Sequence, residues 1–175
     1  CKQPEPFVAS DITGSAIGGD FSLVDFNGKA RKLDDFKGKL VVLFFGYTHC
    51  PDVCPITLAK FKQIKNDLAE TYKNVNFIFI TVDGKRDTPE RLKEYLQQFD
   101  PVFIGLSAPE DTVHQVAKDY SVVFYPEAAS DVKADYTVTH TSSSFLLDRG
   151  GHLIRKYAYE LQHDAIAADI KAFFD

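Results

Sequence analysis

Two cysteines, Cys50 and Cys54, follow directly after the apolar stretch LVVLFFGY at residues 40–47. Each cysteine is followed by a proline, Pro51 or Pro55. Proline disfavours α geometry at the residue before it but is tolerated in the first turn of a helix. We therefore expect Cys50 to lie in a loop and Cys54 at the start of a helix. The positive end of the helix dipole would then favour the thiolate form of both side chains, which is the reactive and metal-binding form.

The spacing of the two cysteines leaves a redox pair, a metal site and inert packing open. Residues four apart on a helix have Cβ atoms about 5–6 Å apart, whereas a disulfide needs about 3.5–4.5 Å. A disulfide can therefore close only if the loop bends Cys50 inward, and a metal ion between the sulfurs relaxes that demand. Thiolates suit Cu(I), and imidazole also suits Cu(II). Zinc would accept two thiolates and one imidazole together with a fourth ligand. Inert packing is the least favoured interpretation, because both cysteines cluster at a helix start.

A metal held by two sulfurs needs at least one further ligand, and the chain has five histidines. Four of them are interpreted as solvated or field-tuning side chains: His49, His114, His152 and His163. The fifth, His140, lies in DYTVTHTSSSFLLD, just ahead of a strand predicted to begin near Ser143. In a thioredoxin-like fold the loop that enters this strand packs beside the active cysteines. His140 is therefore the candidate third ligand, with an ordinary hydrogen-bonding loop histidine as the alternative.

Strand and helix patterns alternate around the cysteines. Continuous apolar runs predict buried strands at residues 40–47, 75–83 and 102–108, and a late hairpin turns at residues 149–151. Helical periodicity predicts helices after the cysteines, from DTPERLKEYLQQF, after Pro109 and from about Asp164. Near the N-terminus, alternation around Asn27-Gly28 predicts a β-hairpin. These patterns predict an α/β thioredoxin-like fold, with a central mixed β-sheet flanked by helices and an N-terminal β-hairpin.

Length and composition set the remaining bounds. The 175 residues, 45% of them hydrophobic, predict one domain with a substantial core. Residues 1–18 contain Pro, Ser and Gly without periodicity, so we interpret them as a tether and docking segment, and residues 19–175 as the thioredoxin-like domain. The net charge of −5 argues against nucleic acid as a partner. No apolar run approaches the roughly 20 residues that cross a bilayer.

The third cysteine, Cys1, stands at the first position, before a polar segment. Bacterial lipoprotein precursors are cut just before a cysteine that then carries the lipid. We therefore expect Cys1 to be lipidated and to anchor the domain to a membrane.

Three stretches of this sequence resemble the Sco (SenC) family of copper-delivering thioredoxin-like proteins: GYTHCPDVCP, VDGKRDTPERLKEYLQQFDPVFIGL and DYTVTHTSSSFLLDRGG. The likeness covers nearly everything from about residue 17 onward. The resemblance implies that Cys50, Cys54 and His140 bind copper, as Cu(I) or Cu(II). It further implies delivery to the dinuclear copper site of cytochrome c oxidase subunit II, in concert with other copper chaperones or thiol reductants. The implied location is the periplasmic side of a bacterial membrane, through an N-terminal anchor.

Two positions depart from the family pattern. Thr139 stands where the family often has Asp immediately before the histidine, and Gly84 stands where a proline commonly follows Asp83. The first departure removes a carboxylate that could orient His140 and so bears on copper affinity.

The second function that the residues allow is a thiol–disulfide oxidoreductase that uses Cys50 and Cys54, for which His140 would be dispensable. Many thioredoxin-like reductases have proline just before the late strand, where this chain has Ser142. This difference argues against a general reductase, although the two roles are compatible, because a copper site made of cysteines must be reduced before it is loaded.

Overall fold

The computed structural model describes residues 9–14, 18–50, 53–122, 124–126, 138–140 and 142–174. For Val53 and for residues 124–126 and 138–140 the description covers the backbone alone. Cys1 and most of the predicted tether lie outside the described residues.

The described residues form strands and helices in the predicted alternation. The strands are β1 (Ser10–Asp11), β2 (Ser22–Asp25), β3 (Ala30–Lys32), β4 (Leu40–Gly46), β5 (Val75–Thr81), β6 (Ile104–Ser107), β7 (Phe124–Pro126), β8 (Val138–His140), β9 (Ser144–Leu147) and β10 (Leu153–Tyr157). The α-helices are α1 (Val53–Leu68), α2 (Pro89–Gln97), α3 (Glu110–Asp119) and α4 (His163–Lys171). Short 3-10 helices occupy Leu33–Phe36 and Ala69–Asn74.

The main sheet is mixed, with strand order β1-β10-β9-β4-β5-β6-β2-β3. Its central strand, β4, runs parallel to β5 and antiparallel to β9. Every residue of β4 is buried, as expected for a strand covered on both faces. The predicted mixed sheet flanked by helices is therefore confirmed.

Aromatic side chains fill both faces of the sheet. Because side chains alternate along a strand, neighbours Phe44 and Phe45 of β4 point to opposite faces. Phe44 packs edge-on against Phe61 of α1, with ring centroids 6.3 Å apart. Phe45 packs against Tyr120, at the end of α3, at 5.8 Å. Helix α1 thus covers one face of the sheet and α3 covers the other.

The predicted hairpin at Asn27-Gly28 is confirmed, since β2 and β3 pair antiparallel around it. Gly28 has φ of 79°, a left-handed conformation that glycine adopts at no steric cost. The Asp25 carboxylate accepts hydrogen bonds from the backbone N–H groups of Asn27 and Lys29 at 2.9 and 3.0 Å. The late hairpin, β9–β10, is likewise confirmed.

The described part of the N-terminal segment contacts the domain. β1 pairs antiparallel with β10, and the N–H of Gly18 donates to the carbonyl of Asp119 at 2.6 Å. The boundary at residue 18 stays a prediction. None of the described helices combines the length and the apolar character that crossing a bilayer requires.

Candidate metal centre

The two cysteines lie together at the end of β4. Cys50 follows the strand in a loop, and Cys54 lies in the first turn of α1, as predicted. Both are thiols, and the Cys50 sulfur accepts a hydrogen bond from the Cys54 backbone N–H at 3.4 Å. Cys50 is 8% exposed, whereas Cys54 is fully buried. Of the two cysteines, only Cys50 therefore presents any surface to a partner molecule.

Burial raises the pKa of the Cys54 thiol, and its hydrogen bond with Cys50 and the charge of Cys50 raise it further. The backbone of Tyr47 acts in the opposite direction but more weakly. The expectation that the helix start would favour a thiolate is thus wrong for Cys54. A helix dipole contributes about 0.3–1 kcal/mol at its end, and the loss of water around a buried charge outweighs that. Cys54 therefore keeps its proton in the dithiol and releases it on forming a disulfide or a metal bond.

Gly46, the last residue of β4, leaves the space that the Cys54 sulfur occupies. A Cβ atom at this position would lie 2.9 Å from that sulfur and 2.8 Å from ring atoms of both Phe44 and Phe79. These distances are shorter than a carbon atom tolerates, so only glycine fits without a shift of the core. The carbonyl of Gly46 also accepts a hydrogen bond from the N–H of Val82 at 2.8 Å, which ties the ends of β4 and β5 together.

A buried carboxylate, Asp87, fixes the loop that precedes Cys50. Its side chain accepts hydrogen bonds from the backbone N–H and the hydroxyl of Thr48 at 3.0 and 2.5 Å. It also accepts from the hydroxyl of Thr81, at the end of β5, at 2.6 Å. Arg91 of α2 completes the network, because its Nε donates to the Thr48 hydroxyl at 2.7 Å. We name Thr48, Thr81, Asp87 and Arg91 the Asp87 network; it joins the cysteine loop to β5 and α2.

Sequence reasoning assigned no role to this network. The feature of the sequence that could have indicated it is the cluster of charges in DGKRDTPER. Within this stretch Thr88 caps α2, because its hydroxyl accepts a hydrogen bond from the N–H of Arg91 at 3.2 Å. Gly84, which stands where the family commonly has proline, lies in a crowded place: a Cβ atom there would be 3.0 Å from the carbonyl oxygen of Ala108.

Among the described residues, one further group could hold a metal ion: His49, Asp83 and Asp87, whose ligand atoms lie within 4.8 Å of one another. Its carboxylates already have partners, because Asp83 accepts from Arg86 at 2.6 Å and Asp87 belongs to the network above. Burial lowers the pKa of His49, and the positive charges of Arg91 and Arg86 lower it further. This group is a hydrogen-bonded network with its own cations, so it does not replace the cysteines as a metal site.

His140 ends β8, which pairs with β7 so that His140 lies opposite Phe124. The sequence predicted a loop here; the pairing with β7 makes it a short strand. Strand β9 begins four residues later, at Ser144, which lies opposite Phe44 near the end of β4. The backbone of His140 is thus close in the chain to the edge of the sheet where Cys50 lies. The His140 side chain lies outside the description, so its role as a ligand stays a prediction.

Two of the other histidines have carboxylate partners. His163, which we expected to be solvated, has its Nδ1 2.6 Å from the Asp67 carboxylate of α1. His163 is thus paired with a carboxylate and not merely solvated, because packing of α4 against α1 brings the two side chains together. His152 lies 3.3 Å from Asp148 and is mostly exposed. Neither pair involves a cysteine.

The sheet order and the buried dithiol at a helix start define a thioredoxin-like protein. A family model described as SCO1/SenC matches residues 9–175. The SCO2-like protein of Rickettsia conorii is 39% identical over 141 residues, which are 81% of this chain and 69% of that protein. The chain therefore belongs to the SCO1/SenC family, and the resemblance seen in the sequence is confirmed.

Solved structures of relatives include copper-bound forms. The structure of Bradyrhizobium japonicum ScoI with copper bound is 40% identical, has a TM-score of 0.82, and covers 90% of this chain and 99% of its own. The structure of yeast Sco1 with copper bound is 32% identical, has a TM-score of 0.83, and covers 91% of this chain and 88% of its own.

Proposed function

We propose that this protein carries copper on Cys50, Cys54 and His140 and delivers it to the dinuclear copper site of cytochrome c oxidase subunit II. The observation that carries the proposal is that two buried cysteines lie together, Cys50 in the loop after β4 and Cys54 in the first turn of α1, with the Cys54 N–H donating to the Cys50 sulfur. Relatives with copper bound support it, as does the softness of thiolate ligands, which suits Cu(I).

The exposures of the two cysteines suit the transfer of a metal ion. Cys50 is the reachable ligand, so copper can pass to or from a partner's cysteine through it, while buried Cys54 retains the ion. Binding requires each thiol to lose its proton, so copper uptake should release protons and weaken at low pH. The Asp87 network holds the loop before Cys50 and limits the geometries that the pair can adopt.

The same pair supports a second function, thiol–disulfide exchange. The Cys50 thiolate would attack a partner's disulfide and displace one of its sulfurs as a thiol, forming a mixed disulfide. Cys54 would then attack Cys50, releasing the partner's second thiol and closing the Cys50–Cys54 disulfide. Two electrons pass from the protein to the partner. The difference in exposure favours Cys50 as the attacking sulfur and Cys54 as the resolving one.

The location and the anchor belong to the proposal as well. We propose a position on the periplasmic side of a bacterial membrane, with subunit II and other copper chaperones or thiol reductants as partners. Cys1, the predicted lipidation site, lies outside the described residues.

Anaerobic titration of the reduced protein with Cu(II), followed by visible absorption, tests the proposal. We expect an intense sulfur-to-copper band that saturates at one equivalent, and no band after oxidation to the Cys50–Cys54 disulfide. His140→Ala should weaken Cu(II) binding strongly, whereas His152→Ala, a change in the exposed late hairpin, should not.

The same pair of variants separates the two functions in cells. Under the copper-carrier proposal the His140→Ala strain fails to assemble oxidase at low copper while its cysteines still exchange disulfides. Normal assembly in that strain would leave thiol exchange as the function.

A further inference from the structure

The hydroxyl group of Tyr95, on α2, is buried and has no hydrogen-bond partner. Among the described residues only two buried side-chain polar atoms are unsatisfied, the hydroxyl oxygens of Thr57 and Tyr95. Thr57 lies three residues after Cys54 on α1 and therefore shares its face of the helix. Nearly all buried polar groups in proteins are paired, and leaving one unpaired is unfavourable. A buried hydroxyl without a partner is therefore a candidate to gain one in another state of the protein.

The Tyr95 ring packs against two other aromatic rings, those of Phe79 and Phe99. Its ring centroid lies 6.4 Å from that of Phe79 and 5.4 Å from that of Phe99. Phe79 also borders the Cys54 sulfur, since a Cβ atom at Gly46 would lie 2.8 Å from the Phe79 ring and 2.9 Å from that sulfur. Tyr95 therefore packs against the ring that borders the same space as the Cys54 sulfur.

The electrostatic surroundings of the Tyr95 hydroxyl point the same way. Burial raises the pKa of Tyr95, and a negative charge on Cys54 or Cys50, such as a bound metal induces, would raise it further. The Tyr95 hydroxyl therefore lies within electrostatic range of both sulfurs.

Two other buried tyrosines, Tyr120 and Tyr157, have hydroxyl groups that already donate hydrogen bonds. Tyr120 donates to the carbonyl of Gly19 at 3.1 Å, and Tyr157 donates to Asp169 at 2.7 Å. Tyr95 differs from both, because its donor is available to a new acceptor.

We propose that Tyr95 is a positioning residue that donates a hydrogen bond to a sulfur ligand of the copper-loaded site. The inference rests on the proposed copper-carrying function. A neutral thiol is a weak acceptor, so the hydroxyl has no partner in the dithiol. When copper replaces the proton, the sulfur gains thiolate character and accepts a stronger, charge-assisted bond. The bond withdraws electron density from the sulfur and so raises the energy of the sulfur-to-copper transition.

The test compares Tyr95→Phe with Tyr120→Phe, since each removes one buried hydroxyl and keeps the ring. In the metal-free, reduced protein, Tyr95→Phe should unfold at a denaturant concentration no lower than the wild type. Tyr120→Phe should unfold at a lower concentration, because it loses a formed hydrogen bond. Unfolding of Tyr95→Phe as early as that of Tyr120→Phe would overturn the inference, since its hydroxyl would then have a partner already.

In the copper-loaded protein the expectations reverse. Tyr95→Phe should move the sulfur-to-copper band to longer wavelength and weaken copper binding, in competition with a chelator, by roughly tenfold, the loss of about one charge-assisted bond. Tyr120→Phe should leave both unchanged. A wild-type band and affinity in Tyr95→Phe would overturn this inference alone. If the wild type itself showed no such band, the proposed function would fail and the inference with it.

Discussion

Replacing Asp87 with Asn should destabilise the protein and loosen the loop that carries Cys50. The Asp87 carboxylate is 1% exposed and accepts three hydrogen bonds of 2.5–3.0 Å, two from Thr48 and one from Thr81. An amide keeps only one accepting oxygen and turns an NH₂ group toward at least one of these donors. A buried hydrogen bond to a charged group contributes about 1.5–3 kcal/mol. The loss of one such bond and the weakening of the others predicts a decrease of about 3 kcal/mol in the free energy of unfolding.

The matched control is Asp100→Asn. Asp100 is also buried, and it accepts hydrogen bonds from Lys65 and from the backbone of Val102, with no contact to the cysteine loop among its hydrogen bonds. Both variants should unfold at lower urea concentration. Only Asp87→Asn should raise the rate at which iodoacetamide alkylates Cys50 in the folded, reduced protein, because only that variant releases Thr48.

Two results would refute this reasoning about Asp87. The first is a free energy of unfolding within about 0.5 kcal/mol of the wild-type value, the range of ordinary surface substitutions. The second is an equal rise in Cys50 alkylation in both variants, which would show general loosening instead of release of one loop.

Two further predictions concern the fold around the site. Gly46→Ala should lower the free energy of unfolding by about 2 kcal/mol, as overpacking does, and should displace Cys54; a copper titration and urea unfolding identical to those of the wild type would contradict the contacts of Gly46. At the N-terminal hairpin, burial would raise the pKa of Asp25, but hydrogen bonds from the backbone of Lys29 and Asn27, with Arg31, lower it below 3.8 overall. A carboxyl group with a lowered pKa stabilises the fold at pH values above its pKa in the unfolded chain. This contribution is lost as the pH falls through its lower pKa in the folded protein. Asp25→Asn should therefore cost about 2 kcal/mol at pH 7 and progressively less below pH 3.8, measured by urea unfolding at each pH; a cost that is constant with pH would contradict it.

Local patterns in the sequence predicted the elements that position the cysteines. The apolar run of β4, the prolines after Cys50 and Cys54, and Asn27-Gly28 each act over a few residues, so the strand, the helix start and the hairpin follow from short-range rules. The mixed sheet flanked by helices could be predicted because strand and helix patterns alternate along the chain, whereas the order of the strands was first seen in the structure.

Properties that depend on distant parts of the chain could not be predicted in this way. The pKa of Cys54 is set by its complete burial against β4 and β5, which the helix-end argument did not include. The Asp87 network joins residues 39 positions apart, Thr48 and Asp87, that meet only because β4 and β5 are parallel. The helical periodicity of DTPERLKEYLQQF predicted helix α2 but carried no information about the unpaired hydroxyl of Tyr95.

X-ray absorption at the copper edge tests the central claim most directly, because it counts the sulfur atoms bound to copper in the reduced, singly loaded protein. We expect two sulfur ligands, from Cys50 and Cys54, and at least one imidazole that disappears in His140→Ala. One sulfur should remain in Cys50→Ser, with the fold unchanged. Copper surrounded only by oxygen and nitrogen in the wild type would contradict the account.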